Sequence, residues 1–215
     1  AALLFVAHSI PESQAAASGP TGGAYPAQLT AVAATMAGEV ADRAGWRGPY
    51  DLAYSSRSGP PSVPWLGPDI GDRLASLAAD GGRAAVVVPL GFVSDHVEVL
   101  YDLDVEAAAR ARQVGVTMRR AATVGTDPRF VRMIGELVEE RQSADPVRPA
   151  LTALGPSHDV CPLRCCEPVR RRPAAAGAPE DLAPAGPPEG SGPGSGPGSG
   201  PAAGYGRRSG TNAWV

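Results

Sequence analysis

The chain has 215 residues, 27 Gly, 23 Pro and a formal net charge of −3, which suits one ordinary domain plus extra sequence. Residues 1–142 hold 16 acidic and 12 basic side chains and residues 143–215 hold 6 and 7, so the strong basic excess of a nucleic-acid footprint is absent. No run reaches the roughly 18 apolar residues that a membrane-crossing helix needs.

Residues 2–7, Ala-Leu-Leu-Phe-Val-Ala, predict a short strand buried on both faces. The chain starts inside this strand without an initiator Met, so it is expected to be the carboxyl-terminal half of a longer protein. Residues 12–24 are read as a Gly/Ser-rich loop. Pro26 suits a first helical position, and Leu29, Val32, Ala33, Met36 and Val40 then mark one apolar helix face. Gly45 and Gly48 end that helix. Leu52 to Ser55 is a weak strand, and a Pro/Gly-rich loop from Gly59 to Pro68 surrounds Trp65.

Ile70, Leu74, Leu77 and Ala78 mark the next helix, and Ala84 to Pro89 is the clearest strand. Ser94 is placed as the N-cap of a helix over about Asp95 to Val114, stopped at Gly115. Val116 to Arg120 is a fourth strand. Asp127-Pro128 opens a last helix, with Phe130, Val131, Ile134, Leu137 and Val138 expected on its buried side. Strands alternating with amphipathic helices predict an α/β fold, a doubly wound parallel sheet. Ligands of such sheets sit beyond the carboxyl ends of the strands. His8 and Glu98 are expected at that edge.

The rest divides in two. Residues 143–172 form a cysteine-bearing extension, and 173–215 are expected to be a disordered tail. From Gly186 to Gly204 the tail is almost only Gly, Pro, Ser and Ala, with too little side chain to offset its ordering entropy. Arg170-Arg171-Arg172 is read as a solvated charge run. All 19 basic residues are Arg, which fits a GC-rich genome and carries no functional reading. Cys161, Cys165 and Cys166 are the three cysteines. An odd, clustered set in a chain read as cytoplasmic favours a metal over disulfides.

A histidine at a strand end is most often a hydrogen-bonded structural residue. A second cluster, Ser94 to Asp104, gives His8 more weight. Glu98 and Asp102 are four apart and Asp95 and Glu98 three apart, so three carboxylates are expected on one side at a helix N-terminus, where the helix dipole stabilises anions. His96 is two residues from Glu98, about 200° round an ideal α-helix; a distorted first turn could bring both inward.

Three blocks resemble the ferrochelatase family, in its order and spacing: His8-Ser9-Ile10-Pro11 after an apolar strand; Pro64-Trp65-Leu66-Gly67-Pro68 after a Ser/Arg-containing strand end; and Pro89-Leu90-Gly91-Phe92-Val93-Ser94-Asp95-His96-Val97-Glu98-Val99-Leu100-Tyr101-Asp102-Leu103-Asp104. The resemblance covers residues 2–142, the carboxyl-terminal half of that enzyme. It implies insertion of Fe²⁺, a substrate, into a porphyrin held between two similar α/β domains. It implies that His8 and Glu98 bind or deliver the metal, with Asp95, His96, Asp102 and Trp65 in support. The actinobacterial character of the sequence favours coproporphyrin III over protoporphyrin IX.

Some members carry a [2Fe–2S] cluster on three cysteines near the carboxyl terminus and a fourth upstream. Cys161, Cys165 and Cys166 match the three. A zinc site with His158, or thiols in solvent, are the other readings. The runner-up functions are a tetrapyrrole chelatase for Co²⁺ or another metal, and a non-catalytic iron–sulfur or haem-binding module. The porphyrin and the absent upstream half are the expected partners; nothing in the sequence sets the oligomeric state.

Overall fold

A computed structural model describes residues 1–163 and 165–167. Both the predicted tail over 173–215 and the Arg170–Arg172 run lie outside the described residues. The elements are β1 (Ala2–His8), α1 (Glu12–Ala17), α2 (Ala24–Ala44), β2 (Tyr50–Ser55), α3 (Ile70–Ala79), β3 (Ala84–Pro89), α4 (Val97–Val99), a π-helix (Leu100–Ala107), α5 (Ala108–Gln113), β4 (Thr117–Arg120) and α6 (Pro128–Gln142).

Strand β1 has no polar face because it is buried from both sides. The four strands are parallel in the order β2-β1-β3-β4, with Phe5 opposite both Leu52 and Val88. Side chains alternate across a strand. Leu4 and Val6 therefore face α3 and the helices after β3, in a core with Leu74, Val87, Val99 and Leu103. Leu3 and Phe5 face α2 through Ala33 and Ala37. Burying each large apolar side chain contributes about 1.5–3 kcal/mol, so β1 carries a large share of the core energy. The chain leaves β1 towards β2 on one side and reaches β3 on the other. The carboxyl ends of β1 and β3 thus flank the topological switch point, where crevices form in open α/β sheets.

Three expectations are corrected. The loop read over 12–24 contains α1, whose Ala15 is buried; six residues are too few to show a helical period. The helix read over Asp95 to Val114 is α4, the π-helix and α5 in succession, and its cap is His96, not Ser94. The third correction is α6. Asp127 caps it by accepting the Arg129 backbone N–H at 2.9 Å, as Asp127-Pro128 implied. Its expected buried face is not buried: no residue of α6 is buried, and Val131, Ile134, Leu137 and Val138 are about half exposed. Periodicity marks an apolar face but does not say what covers it.

Candidate active site

His8 ends β1 and Glu98 lies in α4, which follows the β3 loop. The rigid sheet brings them together: His8 Nε2 is 3.2 Å from Glu98 Oε1, with both side chains part-exposed. His8 Nδ1 lies 2.5 Å from the Ser9 carbonyl oxygen. A carbonyl only accepts, so Nδ1 carries the proton and a neutral ring turns a bare Nε2 lone pair towards the carboxylate. Two acceptors at that distance need a proton or a cation between them. Donors about 2.0–2.2 Å from a divalent ion stand about 3 Å apart when adjacent, so the pair suits either.

The backbone around His8 is fixed from several sides. The Tyr25 hydroxyl donates to the His8 carbonyl at 2.7 Å. Ser9, buried, donates from its hydroxyl to the Leu66 carbonyl at 2.7 Å, and the Leu66 N–H donates back to Ile10 O. This stitches the loop carrying Trp65 onto the turn after His8, with Trp65 paired to Pro11. Gly91 packs so tightly on β1 that a Cβ there would lie 3.3 Å from both Ala7 Cα and Ala7 Cβ, which is why no side chain stands between the β1 and β3 ends.

The π-helix explains the spacing of the acids. Residues four apart drift round an α-helix of about 3.6 residues per turn; the wider i→i+5 turn removes most of that drift. The Ala108 N–H donates to Leu103 O, five residues back. Val99, Leu103, Ala107 and Ala111 consequently form one buried row. Glu98, Asp102 and Glu106 form the adjacent acidic row by the same spacing. Asp102 Oδ2 accepts from the Ser56 hydroxyl at 2.5 Å. Ser56 follows β2 with φ 63°, an uncommon backbone for a residue with a Cβ, and one often kept at functional sites. Asp102, Glu106, Asp69, Asp72, Ser56 and Arg110 line an open cavity of about 280 Å³. Asp69 caps α3 through the Gly71 N–H; burial pushes its carboxyl above the usual range, opposed by that hydrogen bond.

Two expected neighbours are elsewhere. Asp95 does not share a side with Glu98 and Asp102. It pairs with Arg120 of β4 at 2.9 Å, and Arg120 holds Asp104 in two bonds of 2.7 and 2.9 Å. Residue 95 precedes the helix, so helical spacing does not govern it. His96 is likewise outside the helix: its Nδ1 accepts the Val99 N–H at 3.5 Å. Its ring meets Phe92 edge-on at 5.6 Å, and Phe92 lies 6.3 Å from the His8 ring. Ser56, Tyr25, Phe92 and Glu106 were not singled out from sequence. Glu106 alone had a readable signal, since it continues the four-residue spacing of Glu98 and Asp102.

The cysteines form a separate cluster. His158 Nε2, Cys161 Sγ and Cys165 Sγ all lie within 4.8 Å of one another, and the three cysteines are free thiols. Lost solvation, then Cys166, then Cys161 push the Cys165 thiol up to about 11. A [2Fe–2S] cluster needs four protein ligands; three thiols and one imidazole supply that number here.

A family model described as Ferrochelatase matches residues 1–142. The coproporphyrin III ferrochelatase of Frankia alni is 60% identical over 185 residues, covering 86% of this chain and 48% of its own length. That of Streptomyces griseus subsp. griseus is 50% identical over 185 residues, covering 82% and 49%. The chain spans about half the length of these curated relatives. A solved cobalamin (vitamin B12) biosynthesis CbiX protein from Marinobacter aquaeolei VT8 aligns at 18% identity over 65% of this chain and 93% of its own, with a TM-score of 0.38, at which the likeness carries no argument.

Proposed function

The chain belongs to the ferrochelatase family, and on that premise we propose that it supplies the metal- and proton-handling half of an enzyme that inserts Fe²⁺ into a porphyrin. The observation that carries this is the His8 Nε2–Glu98 Oε1 approach of 3.2 Å at the switch point.

Metallation exchanges two pyrrole N–H protons for one divalent ion. An imidazole exchanges protons near neutral pH and also ligates Fe²⁺. With Nδ1 committed to the Ser9 carbonyl, Nε2 is the atom that takes the pyrrole proton, and Glu98 stabilises the resulting imidazolium. Glu98 also suits transient coordination of the incoming ion. The row Glu98, Asp102, Glu106 leads towards the open acidic cavity, giving protons a way out and hydrated cations a way in. Asp102 is held in the row by Ser56. Trp65 and His96 act by position: the first through the loop stitched onto the His8 turn, the second by capping the helix that carries Glu98. Asp95 acts further off, through its Arg120 pair.

A flat apolar macrocycle also needs apolar surface. Val97 is 81% exposed, and Val93, Tyr101 and Val105 are also exposed beside the acidic row. The names of the relatives favour coproporphyrin III as substrate. The remaining half of the relatives' length would close the cleft and supply most porphyrin contacts. A cytoplasmic enzyme is the accompanying reading; among the described residues no helix is long and apolar enough to cross a membrane. The cysteine segment would hold a metal centre, a [2Fe–2S] cluster by family resemblance, apart from the inserting site.

The test is anaerobic iron insertion by this chain combined with the remaining half, with coproporphyrin III and protoporphyrin IX compared. Faster turnover of coproporphyrin III supports the reading. Failure of either porphyrin to be metallated, although bound, would sink it.

A further inference from the structure

The cysteine segment carries an inference that rests on the reading of it as a metal centre. We propose that His158 is the fourth protein ligand beside Cys161, Cys165 and Cys166, so that the centre closes within this chain and needs no thiol from elsewhere.

The distances support four donors round one centre. Donors about 2.0–2.3 Å from a tetrahedral ion stand about 3.6–3.8 Å apart. His158 Nε2 and Cys161 Sγ are 3.4 Å apart, and Cys165 Sγ and Cys166 Sγ are 3.6 Å apart. His158, Cys161 and Cys165 are all within 4.8 Å of one another. Bound metal would draw these pairs together by only a few tenths of an ångström to an ångström.

The chain is built to present them. The Cys165 N–H donates to Pro162 O at 3.1 Å, and this turn folds Cys165 back beside Cys161. Asp159, next to His158, is gripped by Arg141 at the end of α6 and by Arg148, which fixes where the imidazole starts. Cys166 takes φ 59°, and its sulfur accepts the Gly19 N–H at 3.1 Å. Outer hydrogen bonds of this kind orient metal ligands. Gly19 has no room to be anything else: a Cβ there would lie 2.4 Å from Ala24 Cβ. The Frankia alni match covers 185 residues of 215, leaving at most 30 unmatched, so it extends past residue 142 into this segment.

A single zinc-type ion and a [2Fe–2S] cluster both take four such ligands. The experiment separates them while testing His158. The 215-residue chain is purified anaerobically in a His8→Ala background, so that the other metal site does not contribute. Metal and acid-labile sulfide content identify the occupant: one zinc without sulfide, or two irons with two sulfides. Chelator competition then compares His158 with His158→Ala and His158→Cys, and Co²⁺ absorption counts thiolate ligands. The expected result is one centre per chain, weakened more than about tenfold in His158→Ala and retained in His158→Cys, which restores four donors. Equal metal affinity in His158→Ala would overturn the ligand assignment and leave the metal centre standing. A chain that holds no metal in any form would overturn both.

Discussion

Replacing His8 by Ala removes the only ring nitrogen aimed at Glu98. The structure bounds both consequences. Proton transfer by a positioned side chain is worth about 10²–10⁴ in rate, and no neighbour can take over, because the nearby His96 Nδ1 is engaged by the Val99 N–H. Iron insertion should therefore fall by at least about 100-fold. Stability should barely move. The lost His8–Glu98 pair is part-exposed on both sides, a class worth about 0–1 kcal/mol, and the Tyr25 bond goes to the His8 backbone, which Ala keeps. The assay is anaerobic initial rates of coproporphyrin III metallation by the combined halves, with a fluorescence titration of porphyrin binding and a urea melt alongside. Glu98→Gln should follow His8→Ala in severity, and Asp102→Asn should be milder, since Glu98 and Glu106 keep charge in the row. A His8→Ala rate close to wild type, with porphyrin bound normally, would refute the reasoning and move proton acceptance to another group.

Further outcomes are expected elsewhere. His96→Ala should lose a helix cap, about 0.5–2 kcal/mol by urea denaturation, with a much smaller rate loss than His8→Ala. Leu103→Ala, at a fully buried π-helix position, should cost about 2–5 kcal/mol and slow metallation by disordering the acidic row. Arg120→Ala leaves Asp95 and Asp104 unpaired around a guanidinium that is only 14% exposed; discounting for the carboxylates' exposure, about 2 kcal/mol should be lost. The hydrogen bonds from Arg129 hold the Asp127 carboxyl down at about 2, from an ordinary 3.8. A depressed acid stabilises the fold above its ordinary value and loses that contribution as pH falls from 3.8 towards 2. An NMR titration of the Asp127 carboxyl with a midpoint at its ordinary value would contradict the cap geometry.

Sheet and helix order were legible because β1 and β3 are short apolar runs between Gly- and Pro-rich breaks, and α2 and α3 carry clean apolar faces. The meeting of His8 and Glu98, 90 residues apart, followed from strand-end placement in a parallel sheet. What lay beyond the sequence was local backbone choice. Nothing in Leu100–Ala107 announces a π-turn, so the acids were read with α-helical geometry, and Asp95 was grouped with them although it precedes the helix. Ser56 reaches Asp102 through a left-handed backbone that propensity disfavours. The apolar face of α6 was correctly marked as apolar and wrongly assumed to be covered.

The central claim is that His8 Nε2 and Glu98 Oε1 receive the metal. Crystals of the protein soaked anaerobically with Co²⁺, measured at the cobalt absorption edge, test it most directly. The account predicts an anomalous peak about 2.0–2.2 Å from both atoms. A fully occupied peak at the cysteine cluster, with none between His8 and Glu98, would contradict it.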